Sequence, residues 1–437
     1  MKFKFVIYIC VLWVVLEGAF RKWISPSMGN IFYITKYFLV GVAFLFYKLD
    51  KKKIKDHEVI SRLSVPAFIK LLVAGLAVIA FFQMFNPNLP SVFIGAFGLA
   101  QYCWFILLIF MVPCIFADEH QLERFVLFNI LIFVPVGILG VVQFFSPQAA
   151  YINKYVVDTA NVVGVMGHPR ITGTFSYLGG YAVYLTFAGF LSLAFFSTKR
   201  NIFKVIMVSA VFIFIVSNSM MNGSRGTVAY LVTGGILCLG RIFLKDIGGM
   251  IKIALVAGIA VLFAAFYMPS LVEDSRELLE TSYEIIEERG TRDLGERVEE
   301  IMRPLSYISW YGYGTGMTQN IMKIEGYKNE TVLWDEGYEG EPKRVMLELG
   351  LVGFLFYYFL KIGVIVSAFR VYRRTKNERL RCFSFALFLF ILFNLHSPVV
   401  FNHILNFYFW LTAGLVFSIP YLDHTIGAQE KVGGEPA

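Results

Sequence analysis

Apolar runs about 20 residues long recur along this chain, and nothing else in it constrains the fold as strongly. They lie at 3–20, 30–47, 65–86, 92–116, 124–145, 176–197, 204–221, 226–243, 251–269, 345–369, 382–397 and 403–420. A soluble core has no use for so many separate runs of that length. A bilayer requires it, because a helix must cross the hydrocarbon while satisfying its own backbone groups. Composition agrees: 57% of the 437 residues are hydrophobic and 16% charged, against roughly a quarter charged in a soluble domain. Phe (45) and Tyr (23) are abundant, as suits lipid-facing and interfacial positions. The expected fold is an all-α polytopic membrane protein with about twelve transmembrane helices.

The formal charge is +8, and its positive residues cluster in short loops between apolar runs. Lys48, Lys51, Lys52, Lys53, Lys55 and Arg62 fill one, Lys199, Arg200 and Lys204 another, and Arg370, Arg373, Arg374, Lys376, Arg379 and Arg381 a third. The opposite connections, 86–91 and 396–402, hold no Lys or Arg. This is a topology signal, not a nucleic-acid stripe, so no nucleic-acid partner is expected. It is the signal of an inner membrane and places both termini in the cytoplasm. Lys2 and Lys4 before an apolar run resemble a signal peptide, but Glu17-Gly18-Ala19-Phe20-Arg21-Lys22 is a poor cleavage site, which makes the run an uncleaved first helix. Cys10, Cys103, Cys114, Cys238 and Cys382 lie in or beside apolar runs with no CxxC pair, and read as small core residues.

The organisation is therefore nine spans over 1–269 with an outer loop near 146–175, a long outer loop over 270–344, three spans over 345–420, and a cytoplasmic tail, 421–437. The long loop holds 17 of the 31 acidic residues and nine basic ones. Leu278, Leu279, Ile285, Ile286, Leu294, Val298 and Ile301 predict a partly helical segment interrupted at Gly290. The chain lacks the phosphate-loop, dinucleotide, zinc-protease and nucleophile-elbow motifs, which argues against an ATPase, a zinc protease or a serine hydrolase.

Charges at the outer edge of the spans are the informative ones, because burying them is expensive. Arg170 sits in Gly167-His168-Pro169-Arg170, Arg225 in Asn222-Gly223-Ser224-Arg225-Gly226, and Arg297 and Arg303 in the long loop. Arginine offers a planar fork of donors suited to phosphate oxygens, and it keeps its charge. Such forks can grip a pyrophosphate and stabilise it as a leaving group without a metal. Arg225 also fits a snorkelling or capping role at a span end. Gly312-Tyr313-Gly314-Thr315-Gly316 is either a phosphate nest or a turn. His168 adjoins Arg170; His396 and His403 flank a short loop and read as hydrogen-bonded interfacial residues.

The order of these motifs resembles the O-antigen ligase and polymerase superfamily of bacterial envelope proteins. It runs from Gly173-Thr174-Phe175 through Ser224-Arg225-Gly226 and a long loop with Gly-x-Gly-x-Gly to Leu347-Glu348-Leu349-Gly350-Leu351-Val352-Gly353. The likeness covers about residues 160–370, and Glu17-Gly18-Ala19-Phe20-Arg21-Lys22-Trp23 looks like the opening of a subgroup linked to exopolysaccharide assembly. The resemblance implies a C-type glycosyltransferase architecture and a metal-independent, inverting glycosyltransferase with no cofactor. Such an enzyme moves a glycan from undecaprenyl pyrophosphate onto an acceptor hydroxyl, as a repeat-unit polymerase or as a ligase to lipid A core. It also implies flippase and chain-length-regulator partners. The family's arginines fall on Arg225 and on Arg297, with Arg303 second. Arg170, His168 and Tyr313 would contact substrate, and Tyr311, Tyr313 and Trp334 suit stacking on sugars. In ligases a His-Asn pair stands before the Leu-x-Glu-x-Gly motif; nine residues before Glu348 this chain has Glu339-Gly340, with Glu341 next. A carboxylate can serve as the base instead, which favours the polymerase; both glutamates also fit a solvated acidic loop. From another class, a twelve-helix secondary transporter fits the span number, but its usual repeated halves are not visible.

Overall fold

The computed structural model describes residues 2–54, 56–156, 164–165, 167–195, 202–243, 310–318 and 340–432. Helix α1 (Lys2–Ala19) ends in a π-helical turn, Phe20–Ile24, and α2 (Gly29–Asp50) returns beside it. Helices α3 (His57–Leu63) and α4 (Ala67–Gln83) meet at a bend of 85°. Pro66 stands at that bend, and a proline disfavours helical backbone in the residue before it. Helix α5 (Val92–Cys103) starts at Ser91, whose hydroxyl accepts from Phe93 N at 3.2 Å. A series of short turns with α6 (Leu108–Met111) carries the chain to Cys114. Helix α7 (Glu119–Phe145) is capped by Asp118, which accepts from Gln121 N at 2.8 Å.

A small antiparallel hairpin, β1 (Gly164–Val165) with β2 (His168–Pro169), follows. Then come α8 (Leu178–Leu193), α9 (Ile202–Asn222), α10 (Arg225–Phe243), α11 (Glu341–Arg374), α12 (Glu378–Phe393) and α13 (His403–Val432). Among the described residues, seven helical stretches are long and apolar enough to cross a membrane, and α3 with α4 makes an eighth if taken as one span. The protein is thus an all-α polytopic membrane protein. Phe5, Phe38, Leu71, Phe82 and Phe203 point outward, as lipid-facing residues do. Helix α13 is surrounded by other helices over its apolar stretch, with Trp410, Phe407 and Tyr408 buried.

Three boundaries differ from those expected. The predicted tail is helical to Val432, with Tyr421 and Leu422 buried, because the apolar face of α13 continues past residue 420 into the bundle. The predicted span 345–369 begins at Glu341 and breaks at Gly350. A straight helix would separate Glu341 from Lys361 by about 30 Å, yet their side chains are 2.6 Å apart. The chain therefore reverses at Gly350, whose φ of +71° suits glycine, and a Cβ there would meet Trp310 O at 2.4 Å. The 146–175 loop is folded in part, through its hairpin. The ninth predicted span and the segment 271–303 lie outside the described residues.

Candidate functional site

The polar contacts sort into two ends of the bundle. The terminal end holds Lys2, the α11–α12 turn and the last turns of α13: Tyr421 Oη meets Asp56 at 3.1 Å, and Arg241 Nη2 meets Glu378 at 2.7 Å. The distal end gathers the turn after α1, the 146–177 segment, the α9–α10 turn, residues 310–318, the start of α11 and the 394–402 connection. Every described residue singled out as a candidate lies at the distal end.

Residues 311–316 form a wedge between helices. Tyr313 N donates to Leu347 O at 2.7 Å and Gly314 N to Glu348 O at 3.1 Å. Those two carbonyls are left without helical partners by the break at Gly350. Thr315 Oγ1 donates to Gly95 O at 2.9 Å, Asn86 Nδ2 to Gly312 O at 3.1 Å, and Gln83 Nε2 to Tyr311 O. Gly98 is needed opposite, since a Cβ there would meet Gly316 N at 2.2 Å. Of the two readings of the glycine pattern, this is the turn: the amides of Tyr313 and Gly314 are engaged. The Tyr313 ring packs beside Ile94 and Met317.

Beneath the wedge, Glu341 is enclosed. Its Oε1 accepts from Tyr357 Oη at 3.0 Å and Val400 N at 2.9 Å; its Oε2 accepts from Lys361 Nζ at 2.6 Å. Both members of the ion pair are fully buried, so breaking it would strand a charge. To act as a base Glu341 would first have to leave these donors. One turn on, Arg344 lies 3.7 Å from the Phe401 ring centre and donates to Thr318 Oγ1 at 3.0 Å and Thr318 O at 2.6 Å. Among the described residues no carboxylate is at ion-pair distance from it. Glu348 accepts from Thr318 N and Oγ1 at 2.9 and 2.6 Å. Tyr230 Oη and His396 Nε2 are 2.9 Å apart; desolvation first, then the Lys361 ammonium, hold the His396 imidazole below its ordinary value.

Arg170 holds the α9–α10 turn. Its Nε donates to Asn222 O at 2.8 Å and its Nη2 to Gly223 O at 3.1 Å, a cation on helix C-terminal carbonyls. His168 stacks on Phe144, ring centres 4.4 Å apart, with Nδ1 3.2 Å from Phe144 O. Arg225 heads α10 with its side chain exposed. Arg297, Arg303 and Glu339 lie outside the described residues.

Sequence reasoning did not select Lys36, Arg344, Lys361 or Glu348. Lys36 and Lys361 carried a usable signal, a lone charge inside an apolar run. Arg344 did not, since it reads as one more charge in a polar loop. A scan against protein-family models found no match, and a search of the curated proteins found none.

Proposed function

We propose that this protein polymerises undecaprenyl-pyrophosphate-linked oligosaccharide repeat units at the periplasmic face of the bacterial inner membrane. The distal end would face the periplasm, with both termini cytoplasmic and about twelve spans once the polar loop's flanks are included. One observation carries the reading: the distal end presents two arginines with no carboxylate at ion-pair distance among the described residues, Arg225 exposed on α10 and Arg344 fixed on Phe401 in the field of Glu348. Such forks suit a pyrophosphate and its charge as a leaving group. In the proposed step an acceptor hydroxyl oxygen bonds to the anomeric carbon from the opposite face. The carbon–oxygen bond to phosphate breaks, and its electron pair leaves on undecaprenyl pyrophosphate. Glu339 takes the hydroxyl proton in this reading, because Glu341 is held by Lys361, Tyr357 and Val400. Arg297 and Arg303 are further candidates for the pyrophosphate. Arg170 acts at one remove, by holding the turn that presents Arg225.

The test is gel profiling of envelope glycans from a deletion strain restored with wild-type or Arg225→Ala protein. The reading expects single lipid-linked repeats in the deletion and long chains only with wild type. Unattached long chains would point instead to ligation onto lipid A core. A second reading, secondary transport, is favoured by the ion pairs Glu17–Lys36 and Glu341–Lys361 buried within spans, since intramembrane charges mark ion and substrate paths. Unchanged glycans in the deletion strain would leave transport as the function to test.

A further inference from the structure

The turn Glu17–Lys22 has no part in the mechanism above, yet Arg21 in it and Lys36 beside it share a single carboxylate, Glu17. Lys36 Nζ is fully buried, 2.7 Å from Glu17 Oε2 and 3.7 Å from the Tyr33 ring centre. Arg21 shares that carboxylate, with Nη1 3.2 Å from Glu17 Oε1. Lys22 is also fully buried, and its ammonium meets neutral oxygens, Thr172 Oγ1 at 3.0 Å and Gly173 O at 2.7 Å. Arg21 and Lys36 thus share one carboxylate, while Lys22 meets only neutral oxygens. Among the described residues no other acid is at ion-pair distance from any of them. Net charge held out of water is costly unless a counter-ion balances it.

Arg21 is where a counter-ion can enter. Its side chain keeps 15% exposure, and its Nε is buried with no hydrogen-bond partner among the described residues. Ser176 Oγ accepts from Arg21 Nη1 at 3.3 Å, and its own hydroxyl proton remains available to another acceptor. The position is tightly built. A Cβ at Gly18 would meet Ser176 N and Thr174 O, each at 2.4 Å, so this turn is pressed directly onto residues 174–176. Arg21 itself stands in the π-helical turn Phe20–Ile24, a distortion often found at functional sites.

We propose that Arg21 and Ser176, in the field of Lys22 and Lys36, bind a phosphate oxyanion at the distal end. Under the glycan-transfer reading, on which only the ligand's source rests, that oxyanion belongs to a polyprenyl diphosphate headgroup. Free phosphate shares its chemistry, so the test separates the two. Full-length protein in nanodiscs is melted with undecaprenyl pyrophosphate in the bilayer, with inorganic pyrophosphate in solution, and with uncharged undecaprenol. Wild type should be stabilised by the lipid diphosphate and not by undecaprenol; stabilisation by inorganic pyrophosphate as well would mean that the headgroup alone suffices.

Arg21→Gln should bind the responding ligand roughly ten- to a hundredfold more weakly, the loss expected for a charge-assisted hydrogen bond. Arg21→Lys should fall between. Glu17 keeps Lys36 in both variants, so its carboxylate stays paired. If neither diphosphate stabilises wild type, or if Arg21→Gln binds as wild type does, the site is wrong. If binding needs Arg21 while a deletion strain makes normal glycans, the site stands and the transfer reading falls.

Discussion

The two ends of the bundle use the same basic residues in opposite ways. At the terminal end Lys51, Lys52, Lys53, Arg370, Arg373 and Arg374 stand exposed, and the pair Arg379–Glu119 is loose and partly exposed at 3.7 Å. At the distal end Lys22, Lys36 and Lys361 are fully buried, and two of them lie within 2.7 Å of a buried glutamate. Solvent and salt weaken the first set, so it adds little stability. The second set is shielded from water, so each member depends on the partners the fold places beside it.

The sharpest test of that contrast is Lys361→Met. It strands the Glu341 carboxylate and should cost about 3–5 kcal/mol, read as loss of the folded protein in thermal melts in detergent. The double variant Glu341→Gln with Lys361→Met should lose less than Lys361→Met alone; an equal loss would mean that the pair is not the cause. Next comes Gly350→Ala. A Cβ there collides with Trp310 O and Gly312 N, and the residue keeps a φ disfavoured for alanine, so a loss of roughly 1–3 kcal/mol is expected. A wild-type melt for Gly350→Ala would refute the wedge packed on the helix reversal.

His396 gives a smaller, pH-dependent effect. Its imidazole is held below the ordinary 6.5 by desolvation and Lys361, so the fold favours the neutral ring. The associated stability is present above 6.5 and is lost as pH falls through the folded value, because the unfolded chain protonates first. His396→Gln should melt less acid-sensitively than wild type below that pH and run parallel to it above; the same slope in both would remove His396 from the account. Smallest is Arg379→Ala at the terminal end, expected within about 1 kcal/mol of wild type; a larger loss would erase the distinction between the two ends.

Legibility followed the same division. Every apolar run among the described residues coincides with a helix or a series of helical turns, because the bilayer's demand for length acts on contiguous residues. The distal arginines Arg170 and Arg225 were visible as charges at span ends, and Lys36 and Lys361 as charges inside runs. Their roles were not visible. Arg170 reads as a ligand fork in sequence and proves to hold the carbonyls of Asn222 and Gly223. Glu341 reads as a candidate base and proves to be the counter-ion of a lysine 20 residues on.

The sequence by itself determined the class of protein, the places of its apolar helices among the described residues and the segregation of its surface lysines. These follow from length and hydrophobicity, which are local. Only the tertiary structure decided which charges are neutralised. Lys22 meets Thr172 across 150 residues, and Arg344 meets Phe401 only because the chain turns back at Gly350. Whether a cation is a surface marker, a structural counter-ion or an open binding group depends on what lies within a few ångströms of it, and in a helical bundle those neighbours come from distant parts of the chain.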